Sequence, residues 1–144
     1  MFSKSCEYAI RAVLLLASFD EDDIQGVESL AERLKVPKHF LAKLLQQLSR
    51  NRLISSSKGR NGGFYLNAAN RKESLIATIE CIEGPGVFNT CILGLENCSN
   101  DAPCPYHHVV APSRKEFYNL LKNESIEDSA NRIKDQNLKL SDHE

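Results

Sequence analysis

The chain has 144 residues, 42% hydrophobic and 26% charged, with a formal net charge of −1. That length holds one domain, or a small domain with an oligomerisation element, and argues against two full domains. No apolar run reaches the length of a bilayer span, and the N-terminal apolar stretch is interrupted by Glu7 and Arg11 with no small-residue cleavage site after it, so no membrane span and no export are expected. Five cysteines without a signal peptide are a poor disulfide framework, and reduced thiols or metal ligands in a cytoplasmic protein are expected instead.

Residues 3–18 are predicted to be a helix, because Ser3 can cap it and Ala9, Val13 and Leu16 recur on one face. An acidic loop at 20–23 follows. Val27, Leu30, Ala31 and Leu34 then mark a short amphipathic helix, Lys35-Val36 a turn, and Pro37 the start of a second helix with an apolar stripe of Phe40, Leu41, Leu44, Leu45 and Leu48. Two short helices joined by a turn make a helix-turn-helix. On the second, Lys38, His39, Ala42, Lys43, Gln46 and Gln47 are expected to face away from the core, as a helix reading the major groove requires.

Leu53–Ser57 and Phe64–Leu66 carry strand patterns around Lys58-Gly59-Arg60-Asn61-Gly62-Gly63, a glycine-rich basic turn without the Gly-Lys-Ser/Thr ending of a nucleotide-binding loop. Placed directly after a helix-turn-helix, this hairpin reads as a wing, with Lys58 and Arg60 in or beside a minor groove. From Lys35 to Arg71 the charged residues are Lys35, Lys38, Lys43, Arg50, Arg52, Lys58, Arg60 and Arg71, with no Asp or Glu among them. A charge run alone is usually a solvated face, but laid over this pattern it is a candidate polyanion footprint. The candidate DNA-binding residues are thus Lys38, His39, Lys43, Lys58 and Arg60.

Leu75, Ile76, Ile79 and Ile82 mark a further helix ended by Gly84-Pro85, and residues 84–108 read as a loop too long for a mere connection. That loop holds Cys91, Cys98 and Cys104, separated by six and five residues, with His107 three positions further on. Thiolates on a loop suit an iron–sulfur cluster, whereas structural zinc sites pair cysteines more closely. His107 is a candidate fourth ligand by proximity, and imidazole on one iron favours a [2Fe-2S] over a [4Fe-4S] cluster. Beyond the loop, Val110, Phe117, Leu120 and Leu121 form a stripe suited to a partner helix, which is expected to begin near Val110 or bend at Pro112. Ser125 can cap a short acidic helix, and the tail from 131 is polar enough to fray. His39, His107, His108 and His143 fit no catalytic spacing, so an enzyme is not expected.

The combination resembles the Rrf family of winged-helix regulators, IscR/NsrR-like, over nearly the whole length. The matching segments are the opening Ser-Cys-Glu-Tyr-Ala-Ile-Arg-Ala helix, Leu30-Ala31-Glu32, the wing from Lys58 to Leu66, Ile82-Glu83-Gly84 and the three-cysteine loop. The resemblance implies a mainly α fold with a small β-hairpin wing and a C-terminal dimerisation helix. It further implies a homodimer on double-stranded DNA and a cluster sensing iron–sulfur status, nitric oxide or redox state. It also makes Glu7 a second candidate for the fourth ligand, because nitric-oxide-sensing members take a carboxylate from the partner's first helix at the matching position. Arg60-Asn61 stands where many members have Pro-Gly, and Ala42 where the IscR branch has a base-reading glutamate, so the resemblance does not carry an operator sequence over to this chain. The expected division is 1–83 winged helix-turn-helix, 84–108 cluster loop, 109–130 dimerisation and short helices, and 131–144 polar tail. A cluster-free regulator of the same fold, controlled by a protein partner or thiol oxidation, is the alternative.

Overall fold

The computed structural model describes residues 1–142, so His143 and the end of the expected polar tail lie outside the described residues. The fold is mainly helical, with one two-stranded antiparallel hairpin. Helix α1 (Lys4–Ala17) starts where Ser3 Oγ accepts from the Cys6 amide at 3.2 Å. Its Ala9, Ala12, Val13 and Leu16 are fully or almost fully buried, and the small side chains let neighbouring helices approach closely. The helix-turn-helix consists of α2 (Val27–Leu34), a turn through Lys35 at φ 57°, and α3 (Lys38–Arg50). Leu41, Leu44, Leu45 and Leu48 root α3 in the core.

Two expected orientations on α3 differ. Phe40 is 38% exposed and rests edge-on against Tyr8, ring centroids 5.7 Å apart, because its position sits at the margin of the stripe. Gln47 turns inward, where its Nε2 donates to the Cys81 carbonyl at 3.0 Å.

The wing pairs β1 (Ser55–Ser57) with β2 (Gly63–Tyr65) in the register Ser55↔Tyr65 and Ser57↔Gly63, and Phe64 exchanges backbone hydrogen bonds with Gln25 at 2.8 and 2.9 Å. That second pairing explains Gly63: a Cβ there would lie 2.2 Å from the Gln25 carbonyl oxygen. A short helix that the periodicity does not predict, α4 (Ala68–Lys72), follows, started by reciprocal hydrogen bonds between Asn67 and Asn70. It delivers Arg71 into the interior, where Nη1 donates to Ala17 O at 3.0 Å and Nη2 to Phe19 O at 2.6 Å. Arg71 is 7% exposed and therefore leaves the basic footprint.

Helix α5 (Leu75–Glu83) ends at Gly84, φ 97°, and leads through the 3-10 turn Val87–Asn89 into the cysteine loop. Helix α6 (His107–Lys122) begins earlier than expected and carries Pro112 within it. His107 is accordingly the first residue of a helix instead of a loop residue. Of the expected stripe on α6, Leu120 is 64% exposed, while Phe117 is held in an aromatic group with Phe2 and Phe88, at centroid distances of 6.4 and 6.0 Å.

Helix α7 (Ile126–Asp135) starts on a Ser125/Asp128 capping box and returns Ile126 and Ala130 to the core against α1. The boundary expected at residue 131 falls inside this helix. The chain after it does not hang free, because Arg11 of α1 donates from Nε to Leu140 O at 2.7 Å and from Nη2 to Leu34 O at 2.6 Å. Among the described residues no helix is long and apolar enough to cross a membrane.

Candidate nucleic-acid interface and cysteine centre

His39, Lys43 and Gln46 stand exposed on α3, opposite the four buried leucines, and Arg50 and Arg52 are exposed at its C-terminal end. Lys38 is also exposed, but its ammonium is paired with Glu28 of α2, and that ammonium holds the Glu28 carboxyl below the usual carboxylate range. At the wing tip Lys58 and Arg60 are exposed, and the Gly62 amide closes the turn on Gly59 O at 3.0 Å with Gly59 at φ 103°. Ser49 Oγ, 3.1 Å from Ser56 Oγ, fastens the end of α3 to β1. The surface thus presents cations on a well-rooted helix and on a hairpin whose tip makes few demands on the core, an arrangement able to neutralise phosphates from two elements.

The cysteines divide by environment. Cys6 is fully buried, and burial, with Glu83 beside it, pushes its thiol up to about 12. Burial also raises Cys81. These two are packing residues. In the loop, Cys98 Sγ lies 3.3 Å from His107 Nδ1, and His107 Nε2 lies 2.9 Å from Asn100 Oδ1. Arg114 Nη2 donates to the same sulfur at 3.0 Å. Cys91 accepts from the backbone amides of Leu93 and Leu95, which, with the Cys104 thiol and the Arg114 guanidinium nearby, hold its thiol below the usual range. The structure thus gathers Cys98 with His107 and Cys91 with Cys104. Among the described residues no three His, Cys, Asp or Glu side chains converge as a ready metal site. Glu7 pairs with Lys4 at 3.0 Å and lies on α1 beside Cys6.

The donor set still fits a soft, negatively charged metal group. Thiols and an imidazole are the right ligand types, and Arg114 Nε is buried without a partner beside them. A cavity of about 620 Å3 opens there, lined in part by Phe88, Cys98, Asn100, His107, Arg114 and Tyr118. Arg114 and Asn100 escaped the reading of the sequence. The signal for Arg114 was its spacing: it stands seven residues after His107, two helical turns along the same face.

The family model Rrf2, described as iron-dependent transcriptional regulator, matches residues 2–132. A protein of Aquifex aeolicus described as an HTH-type transcriptional regulator is 32% identical over 133 residues, which cover 91% of this chain and 92% of that protein. NsrR of Oceanobacillus iheyensis is 23% identical over 126 residues, 87% of this chain and 86% of NsrR. Among solved structures, CymR, the global cysteine regulator of B. subtilis, superposes with a TM-score of 0.74 at 21% identity, covering 91% of this chain and 96% of CymR. IscR of T. potens does so with a TM-score of 0.72 at 18% identity, covering 96% and 92%. At those identities the structures establish the fold alone, winged-helix and mainly helical. The family match, spanning both the cationic helix-turn-helix and the cysteine loop, shows that the chain belongs to the Rrf2 family of transcriptional regulators.

Proposed function

We propose that this regulator binds operator DNA in the cytoplasm as a homodimer, and that a cluster held by Cys91, Cys98 and Cys104, [2Fe-2S] in preference to [4Fe-4S], controls that binding. The observation that carries the reading is the contact of Cys98 with His107 and Arg114, at 3.3 and 3.0 Å, on the segment that joins α5 to α6. His107 is the nearer fourth ligand; Glu7, on α1, would have to come from the partner subunit. When bound, the cluster supplies an iron centre responsive to redox state or nitric oxide.

The chain's own residues can carry a change in the loop to the DNA-binding helix. Cys81 O on α5 accepts from Gln47 on α3, and Glu83, one residue before the loop, accepts from the Ser3 amide at 2.9 Å at the head of α1. A displaced α5 terminus therefore tilts α3. On DNA, His39 and Lys43 stand nearest the base edges and Lys58 and Arg60 neutralise phosphate at the wing. Lys38 contributes by exchanging Glu28 for a phosphate.

The test is protein purified without oxygen, its absorbance spectrum, and iron and sulfide assays. The native protein is expected to show sulfide-to-iron charge-transfer bands that Cys98→Ala loses together with its iron; a full cluster in Cys98→Ala would remove the site assignment. Control by thiol oxidation without a cluster is the second reading, favoured by the contact between Cys91 and Cys104. Iron-free protein whose DNA affinity follows thiol state would select it.

Dimerisation is assigned to α6, where Val109 and Leu120 are 58% and 64% exposed. Leu120→Glu is expected to give a monomer in sedimentation at micromolar concentration where the native chain is dimeric. A native monomer at that concentration would defeat the assignment and the two half-sites it implies.

A further inference from the structure

We infer that Arg114 is the positioning residue of the cysteine loop: a clamp from α6 that sets the place of Cys98 and presents positive charge to the metal-binding thiolates. The charge part of this inference rests on the cluster reading above; the clamp does not.

A guanidinium carries five N–H donors in a rigid planar fork, so it can fix two acceptors in a set relation where an ammonium cannot. Arg114 uses the fork across a long stretch of chain. Nη1 donates to the Thr90 carbonyl, the residue before Cys91, and Nη2 donates to Cys98 Sγ at 3.0 Å. One side chain thereby joins both ends of the Cys91–Cys98 segment to a helix. His107, two turns back on the same helix face, holds the other side of Cys98 at 3.3 Å. Nε, a third donor of the same fork, is buried and has no partner. An unpaired buried donor is costly. It is accounted for if the guanidinium faces a group more negative than the thiols alone, as sulfide-bridged iron with thiolate ligands is.

The experiment compares native protein with Arg114→Met and Arg114→Lys, both of which keep a residue of good helix propensity on α6. Circular dichroism serves as the check on folding. In metal-free protein, hydrogen exchange of the Thr90–Asn100 amides is expected to accelerate roughly tenfold in Arg114→Met, about the protection one hydrogen bond confers. Arg114→Lys is expected to restore only part of that protection. Unchanged exchange in Arg114→Met overturns the inference whatever the iron content.

In protein reconstituted without oxygen, Arg114→Met is expected to lose iron to a chelator roughly ten to a hundred times faster, the usual effect of removing an outer partner of a metal ligand. Its reduction potential is expected to fall, because a positive charge that favours the reduced form has gone, and Arg114→Lys should recover the potential more fully than the loop protection. A cluster in Arg114→Met with native lifetime and potential overturns the charge role. A native protein that binds no iron, with a loop that still loosens in Arg114→Met, overturns the cluster reading and upholds the clamp.

Discussion

Alanine at both Lys58 and Arg60 is expected to weaken operator binding roughly 30-fold at physiological salt and to reduce the slope of log affinity against log salt by about two. Each phosphate contact releases close to one condensed counterion, so two contacts lower the slope by nearly two, and at about 0.15 M salt each is equivalent to roughly fivefold in affinity. The structure makes the double variant a clean one. Both side chains are exposed at the tip of a turn closed by backbone hydrogen bonding between Gly59 and Gly62, and neither belongs to the core, so the fold is expected to survive. Discrimination between operator and unrelated DNA should change little, because phosphate contacts position the protein without reading sequence. Titrations at several salt concentrations decide it, and an unchanged slope would remove the wing from the interface. Lys43→Ala should behave differently, losing discrimination as well as affinity, since Lys43 stands on the exposed face of α3.

Arg71→Met is expected to lower stability by about 2–4 kcal/mol while leaving the salt slope of DNA binding as it is. Methionine replaces the aliphatic stem of Arg71 but removes the two donors that serve Ala17 O and Phe19 O at the C-terminal end of α1. Hydrogen bonds from a charged donor are each equivalent to about 1.5–3 kcal/mol, and carbonyls left buried without a partner add to the loss. Relief of burying a guanidinium whose Nε is itself unpaired offsets part of it. For a chain of this size the change corresponds to a fall in melting temperature of roughly 5–15 °C. Urea unfolding with an unchanged denaturant slope is the measurement, and a midpoint equal to the native one would show that Arg71 does not staple α1. The two halves of the expectation separate the roles that a basic residue in this window could have: Lys58 and Arg60 alter DNA affinity without stability, Arg71 stability without the salt slope.

The elements that were legible in the sequence are those whose apolar residues fall on one face within a single segment. Ala9, Val13 and Leu16 place α1, Leu30, Ala31 and Leu34 place α2, and Leu41, Leu44, Leu45 and Leu48 place α3, since a helix that buries one stripe must repeat every three or four residues. The hairpin was legible for a similar reason: positive φ at its turn narrows the choice of residues, as at Gly59. The cysteine loop was legible as a long connection from its length and its glycines and prolines.

What the sequence by itself determined is therefore local: the helix-turn-helix, the wing and the face of each helix that must be covered. Tertiary structure decided which residues meet across long separations. It drew Gln47 in toward Cys81, buried Arg71 under the end of α1, returned α7 and Leu140 to α1, and set Arg114 over Cys98. The physical reason is one of range. Periodicity reports only that a side chain must leave water, whereas a hydrogen bond or a clamp depends on where a donor finds its acceptor, and for Arg71 and Ala17 those lie 54 residues apart.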